Sequence, residues 1–360
     1  MNSQATAPKV KKESKNKIRV EFERTDFWTR FKLKFLSFKF VKTVAWVLFR
    51  LVLLVGISYV ILSPVISKVF CSFMSKEDFV DATVKYIARY PTLNTYKAVI
   101  VENDYLSALI NTFTLSLICA VIQTFVCCVI AYGFAKFKFK FNGLLFGLVI
   151  FTMVVPHGTV QISMFLKFSN FDIYGLFEGL GNLLNPMLNN MFKPAQYTSY
   201  IGPFNLLNSY WPLALLSLGG LGFKNGLYIY MLRQYFRGVP DELEESAYLD
   251  GSGVFRTFIQ VIIPLSVPML ITVFLFAFSW QWTDMFYNTM FFTNTQVITM
   301  QRFAENIPTV LGTNGFAGQK MFEAAIVNTS TLLVIAPLIV MYLFCQRYLI
   351  AGIERSGIVG

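Results

Sequence analysis

The most distinctive chemistry in the sequence lies between Pro240 and Pro268, where a run of acids is followed by glycines. Four of the five residues after Pro240 are acidic, and acids in a first turn interact favourably with the positive end of the helix dipole. Glycine accepts the left-handed conformation that caps a helix, so we expect a helix over residues 241–250 to stop at Gly251 and Gly253. A second helix is expected to end at Pro264, which gives a short, rigid helix–turn–helix.

The sequence shows no pattern typical of nucleotide hydrolysis or of a metal site. The G-x-x-x-x-G-K-[ST] loop that cradles phosphate is absent, and Gly315 to Lys320 has the wrong spacing. His157 is the one histidine, and no paired His/Cys ligands accompany it. We interpret it as a structural residue, with contact to a substrate as the alternative. We therefore expect no enzymatic activity, no metal and no cofactor in this chain.

The composition points to a membrane protein that would carry the loop between spans. The 360 residues are 55% hydrophobic and 14% charged, about half the charge of soluble domains. A span needs about 20 mostly apolar residues. Reading between charged residues predicts six membrane helices and an all-α fold: Leu51–Ser67, Tyr105–Ala135, Phe141–Leu166, Leu207–Leu232, Thr257–Thr283 and Ala324–Gln346.

The distribution of basic residues predicts the orientation of these spans. Residues 1–42 hold twelve Lys/Arg against four Asp/Glu. Further Lys and Arg follow the second, fourth and sixth spans, and basic residues concentrate on the cytoplasmic side of membrane proteins. Both termini and the loop that begins at Pro240 are therefore expected in the cytoplasm. The formal net charge of +11 follows from this topology and requires no nucleic-acid partner.

With its spacing and its predicted side, this loop resembles the coupling loop of binding-protein-dependent ABC importer permeases. That family's pattern is Glu-Ala-Ala, three residues, Gly, nine residues and Ile-x-Leu-Pro. The residues at the matching positions here are Glu245, Ser246, Ala247, Asp250, Gly251 and Pro264. Ser246 replaces the first alanine, and Val261 and Ile263 stand where Ile and Leu are typical. The resemblance implies that these six positions contact a partner ATPase.

A second resemblance narrows the family to carbohydrate permeases of the smaller, maltose-type kind. It covers roughly residues 105–360 and rests on the tail after Gln346 and on the stretch from Leu206 to Gln234. The tail ends in Val359-Gly360 where the family ends in Lys-Gly. The resemblance implies that Gly352, Gly357 and Gly360 contact the ATPase. It also implies the type I ABC importer permease fold.

The same resemblance implies the partner chains, the cargo and the location of this protein. Its partners would be a second permease subunit as a heterodimer, two copies of a cytoplasmic ATPase, an extracellular solute-binding protein and membrane lipid. ATP and Mg would be bound by the partner subunits and not by this chain. The cargo would be a carbohydrate, an oligosaccharide by this resemblance, and the location would be the bacterial cytoplasmic membrane.

Four residues are candidates for the solute pathway: Lys224, Asn225, Trp280 and Trp282. A charge within a span is costly and usually faces the bundle interior or water. Alternatively, Lys224 lies near the outer end of its span and its amine reaches the interface. The two tryptophans could stack on sugar rings, or they could belong to the aromatic belt of the membrane interface.

The predicted organisation has four parts and leaves two other functions open. Residues 1–42 form a basic extension, 43–104 the first span and an external loop, 105–346 the core with its coupling loop 237–263, and 347–360 a Gly-rich tail. The alternatives are an ABC permease for a non-sugar solute and a self-sufficient secondary transporter. The second is disfavoured because the predicted spans contain no Asp or Glu.

Overall fold

The chain is all-helical in the part that the structure, a computed structural model, describes. The described residues are 38–173, 175–192, 199, 201–294, 297–315 and 317–357. No strand occurs among them, and an isolated antiparallel bridge pairs Phe171 with Phe204. The predicted all-α class is confirmed, whereas the extension predicted over residues 1–42 lies almost entirely outside the described residues.

The helices are named here in chain order. They are α1 Phe38–Cys71, α2 Asn94–Glu102, α3 Tyr105–Lys136, α4 Asn142–Val154, α5 Gln161–Ser169, α6 Leu176–Phe192, α7 Trp211–Leu218, α8 Asn225–Arg237, α9 Glu242–Leu249, α10 Val254–Thr257, α11 Ile263–Thr283, α12 Phe286–Phe291, α13 Met300–Glu305 and α14 Gln319–Gly357.

Two units make up the chain, residues 1–66 and residues 67–360. The first unit contains most of α1, whose apolar side chains are exposed, as a helix in contact with lipid requires. The second unit contains the other described helices. The predicted four-part organisation stays a prediction.

Four of the predicted spans are confirmed as continuous helices of sufficient length and apolar character. Among the described residues these helices cover Lys42–Cys71, Tyr105–Lys136, Val254–Thr283 and Gln319–Ile350. They correspond to the first, second, fifth and sixth predicted spans. Each helix pairs its own backbone amide and carbonyl groups. This pairing is required because hydrocarbon offers them no hydrogen-bond partner.

The third predicted span, Phe141–Leu166, is not one straight helix. It consists of α4 and the segment His157–Ser169, which are bent by 94° relative to each other. Pro156 causes the bend, because a proline pushes the residue before it out of the helical conformation. Val155 is accordingly extended, with φ −64° and ψ 121°.

The fourth predicted span, Leu207–Leu232, is also interrupted. It consists of α7 and α8, and the intervening residues include Gly220 at φ +72° and Lys224 at φ +64°. Left-handed residues do not fit a right-handed helix, so the six residues between α7 and α8 interrupt the span. The fourth predicted span is therefore not one continuous helix, and the six-span topology stays a prediction.

Helix α3 lies at the centre of the second unit. It packs against α7, α8 and α11, and α11 packs in turn against α14. Most of the buried residues of α3 are small: Ala108, Thr112, Ser116, Cys119, Ala120, Cys127, Cys128 and Ala131. Small side chains let helix backbones approach closely in a membrane. Helix α3 thereby connects the helices around it with the loop near its C-terminal end.

We predict that Gly226 sets the distance between α8 and α4. A Cβ added there would lie 2.8 Å from Met153 Cγ and 3.1 Å from the Val149 carbonyl oxygen. Gly226→Val should therefore destabilise the purified chain by about 1–3 kcal/mol, the usual cost of overpacking. The measurement is thermal unfolding in detergent.

Gly147→Val on α4 is the matched control, since nothing lies within 4 Å of a Cβ added at this exposed position. Equal melting temperatures for the two valine variants would contradict the close-approach role of Gly226.

Candidate functional site

The helix predicted over residues 241–250 is confirmed as α9. Its first turn contains Glu242, Glu244 and Glu245, placed where carboxylates interact favourably with the helix dipole. Asp241 precedes the helix, and its carbonyl oxygen accepts hydrogen bonds from the amides of Glu244 and Glu245, each at 3.0 Å. The acid run therefore starts the helix as expected.

Gly251 ends α9 in the expected left-handed conformation, with φ +82°. The Ser252 amide donates to the Ala247 carbonyl at 2.9 Å, and the Gly251 amide donates to the Tyr248 carbonyl at 3.0 Å. This pair of bonds is a Schellman cap, which fixes the turn. The same expectation is wrong for Gly253, whose backbone is extended at φ −79° and ψ 162°.

The second predicted helix does not end at Pro264. Helix α10 continues through a π-helical turn, Phe258–Ile262, directly into α11. In this turn the Ile263 amide donates to the Phe258 carbonyl, five residues back. A proline in a regular helix clashes with the carbonyl four residues earlier, and the wider turn accommodates Pro264 without a break. The loop is thus joined to α11 by continuous helix.

An ion-pair cluster attaches α9 to the end of α3. Lys136 Nζ lies 2.6 Å from Asp241 Oδ1 and 3.3 Å from Glu244 Oε1, and it donates to the Val239 carbonyl at 2.7 Å. Tyr132 Oη donates to the second Glu244 oxygen at 3.1 Å. The Lys136 and Glu244 side chains are only 7% and 10% exposed. We call Lys136, Asp241, Glu244 and Tyr132 the anchor cluster.

The anchor cluster requires both charges to be present. The hydrogen bond from Lys136, followed by its positive charge, holds the pKa of the exposed Asp241 carboxyl below its usual range. Glu244 has been taken out of water, and a buried carboxylate is tolerated only when it is paired and hydrogen-bonded. The inner side of α9 is therefore held to α3 by charge as well as by packing.

The outer side of the loop is exposed. Glu245, Ser246, Asp250 and Gly251 are exposed, and Ala247 is half-buried. Two apolar side chains, Leu249 and Phe255, are 89% and 75% exposed on this otherwise charged loop. A rigid helix that presents apolar groups next to unpaired acids is suited to docking in a groove of another protein.

The candidate pathway residues separate into two groups. Lys224 and Asn225 line a cavity, and Trp280 covers the Lys224 ammonium group, with its ring centre 5.0 Å from Nζ. Trp282 lies elsewhere: it is fully buried, and its indole N–H donates to the Val334 carbonyl at 3.0 Å. Its position is that of a packing residue between α11 and α14.

The cavity has a volume of about 350 Å³ and lies where the two interrupted spans meet. One set of lining residues lies within 151–164 around the Pro156 bend, and another lies within 220–227, at the turn before α8 and in its first turn. His157 and Tyr287 also line it, and His157 Nδ1 is 3.1 Å from Tyr287 Oη. His157 therefore takes part in the cavity wall, a role that its isolation in the sequence did not indicate.

The sequence did not single out the residues that anchor the loop. In the sequence, Lys136 is one of several basic residues that follow a span, and Glu244 is one of several acids at the start of a helix. No signal in a single sequence distinguishes them, because their pairing depends on how α3 packs. In the tail, α14 continues through Gly352 to Gly357, and Gly360 lies outside the described residues.

The sequence is similar to a family of transport-system membrane components and to individual permeases. Residues 124–355 match the family model described as the inner membrane component of binding-protein-dependent transport systems. The chain is 26% identical to the trehalose transport system permease protein SugB of Mycobacterium tuberculosis, over 77% of this chain and 85% of that protein. It is 24% identical to the maltodextrin transport system permease protein MalD of Streptococcus pneumoniae, over 84% and 92%.

The fold also matches a chain of known structure. That structure is of a bacterial ABC transporter involved in the import of the acidic polysaccharide alginate. The TM-score is 0.62 with 20% sequence identity, over 85% of this chain and 97% of that chain. This likeness shows a shared fold.

We predict that Lys136→Met releases α9 from α3. Removing one partner of a buried ion pair leaves Glu244 uncompensated, at a cost on the order of 3 kcal/mol. Amide hydrogen exchange over residues 242–252 should become faster, while exchange in the middle of α3 stays unchanged. Lys138→Met is the control, because this substitution removes the same charge at an exposed position two residues away. Slow exchange in both variants would contradict an anchoring role for Lys136.

Proposed function

The chain belongs to the family of inner membrane components of binding-protein-dependent transport systems, and on this premise we propose that it translocates a carbohydrate delivered by an extracellular binding protein. It is the membrane permease component of an ABC importer, and it lies in the cytoplasmic membrane. The carbohydrate proposal is supported by the relatives named for trehalose and maltodextrin transport. An oligosaccharide is the cargo that the tail and the fourth-span stretch favour.

The proposed transporter contains other chains. A second permease would complete the pathway as a heterodimer, and two copies of a cytoplasmic ATPase would bind ATP and Mg. This subunit would contribute no nucleotide site of its own. The energy would enter through protein contacts with the ATPase, which is why the geometry of the exposed loop matters for function.

The observation that carries the coupling role is the position of α9 between an anchored side and an open side. Its open side would dock on the ATPase, where Glu245 would accept a charge-assisted hydrogen bond, the stronger kind. Ser246, Ala247 and Asp250 would complete the contact, and Gly251 would permit the capped turn. The ATPase motion would then reach α3 through the anchor cluster and α11 through the continuous helix at Pro264.

The proposed topology has six spans and two cytoplasmic termini. Four spans would be the continuous helices, and the other two would be the interrupted pairs on either side of the cavity. The basic extension of residues 1–42 would contact the cytoplasmic side of the membrane. Gly352, Gly357 and Gly360 in the tail would reach towards the ATPases, and solute would pass near Lys224, Asn225 and Trp280.

We predict that Gly251→Pro uncouples ATP hydrolysis from uptake in the reconstituted transporter. Proline fixes φ near −65° and lacks the amide that Gly251 donates to Tyr248, so the cap cannot form. Uptake per ATP hydrolysed is expected to fall by at least about tenfold, which corresponds to about 1.4 kcal/mol of coupling. Gly253→Ala is the matched control, because its φ of −79° suits any residue and nothing lies within 4 Å of the added Cβ. Normal uptake by Gly251→Pro would refute the coupling role.

The proposed function predicts that the tagged chain co-purifies with a second permease and an ATPase. In proteoliposomes with the binding protein, the complex should take up one or more of three saccharides: maltotriose, galactotriose and trigalacturonate. Uptake should require ATP and should be absent for amino acids and a tripeptide. Transport by the isolated chain would instead support a secondary transporter, and uptake of the tripeptide alone would remove the carbohydrate assignment.

A further inference from the structure

The cavity between the two interrupted spans is lined by non-helical backbone, which the packing of helices does not require. Non-helical backbone within a membrane protein is tolerated where it lines a cavity or is buried in protein. Here the Pro156 bend and the turn before α8 contribute opposite walls of the same cavity. Discontinuous helices that meet in this way are a common design of solute sites in transporters.

Lys224 brings a positive charge to this cavity without a matching carboxylate. No ion pair involves it in the part of the chain that the structure describes. Its ammonium group lies 5.1 Å from the ring centre of Phe223 and 5.0 Å from that of Trp280. Aromatic faces attract a cation, but they do not neutralise it. A half-buried ammonium group therefore remains available to an anion.

Polar groups beside Lys224 add to this positive site. Asn225 is 1% exposed, and both polar atoms of its side chain lack a hydrogen-bond partner. It lies in the first turn of α8, at the positive end of a thirteen-residue helix. Buried polar groups are normally paired, so an unpaired amide beside a cavity indicates that a ligand or water completes it.

The aromatic wall supplies the second half of the recognition. Tyr287 lines the cavity, and the ring centre of Phe223 lies 5.9 Å from that of Tyr287 and 5.7 Å from that of Trp280. His157 lies 5.1 Å from Phe223 and next to the Tyr287 hydroxyl. Aromatic faces with hydroxyl and imidazole groups at their edge suit a ring that is apolar on one face and polar around its rim. A pyranose has this character, whereas a lipid acyl chain does not.

We propose that this cavity is a solute subsite that recognises a saccharide unit carrying a carboxylate, such as a hexuronate. Lys224 pairs with the carboxylate, Asn225 hydrogen-bonds the sugar, and the ring lies against Tyr287 and His157. The volume of about 350 Å³ is near the lower end of small-molecule sites, so the cavity holds one sugar unit of a longer chain. This inference rests on the proposed carbohydrate transport and specifies the class of sugar.

The test compares an acidic saccharide with its neutral counterpart. Trigalacturonate and its fully methyl-esterified form have the same rings and differ in charge. Binding of each is measured by calorimetry on the complete transporter in phosphatidylcholine nanodiscs, without the binding protein, so that only the membrane subunits select. We expect the acid to bind at least about tenfold more tightly than the ester, as expected for a charge-assisted contact.

Substitutions then assign the preference to Lys224. Lys224→Met should reduce binding of the acid to the level of the ester, and Lys224→Arg should retain the preference. Lys320→Met, which removes an exposed charge away from the cavity, is the control and should bind as the wild type does. Equal binding of acid and ester, or an unchanged preference in Lys224→Met, would overturn the inference.

Two further arms separate this inference from its alternatives. If phosphatidylglycerol nanodiscs abolish binding of the acid while the Lys224→Met complex loses bound phosphatidylglycerol, the cavity is a lipid headgroup site and the inference is overturned. ATP-dependent uptake with the binding protein is measured in parallel. Uptake of neutral saccharides without any acid preference in binding would overturn this inference alone, whereas absence of uptake of every saccharide would overturn the proposed function as well.

Discussion

The contact between Lys136 and Glu244 is the interaction on which the functional geometry depends. Both side chains are nearly buried at the end of α3, and a buried charge is stable only with its partner in place. The pair fixes the inner side of α9, so the residues left on the outer side are free to meet another protein. Without that attachment, α9 would be a short helix on a flexible loop, and an eight-residue helix has little stability of its own.

Helix α8 connects this attachment with the cavity. It begins next to Lys224 at the cavity wall and ends at Arg237, two residues before the Val239 carbonyl that Lys136 holds. Helix α3 runs beside it and packs against it. A displacement of the loop relative to the membrane helices would therefore be transmitted along α8 to the residues that line the cavity. This arrangement gives a physical route from the loop to the shape of the cavity, which the proposed coupling requires.

The same structure concentrates its irregular backbone at one place. The continuous helices α3, α11 and α14 form the packed core, whereas the bend at Pro156 and the left-handed residues before α8 face the cavity. Regular helices resist deformation because each backbone group is already paired, and the interrupted segments can change direction at a few residues. The division separates a frame of continuous helices from the interrupted segments that line the cavity.

The sequence by itself determined the features that depend on local composition. Four spans follow from uncharged apolar runs, and α9 with its Gly251 cap follows from a proline, a group of acids and a glycine within twelve residues. The apolar composition did not reveal where helices break, since Phe141–Leu166 and Leu207–Leu232 are apolar enough to span. Pro156 marks the first break, but whether a proline kinks, bends or ends a helix depends on the packing around it. Nor did the sequence determine that Tyr132 and Glu244, 112 residues apart, share a hydrogen bond. Only the packing of α3, α8 and α11 brought them together, because a lysine, a tyrosine and a glutamate acquire a specific role when burial removes water as their alternative partner.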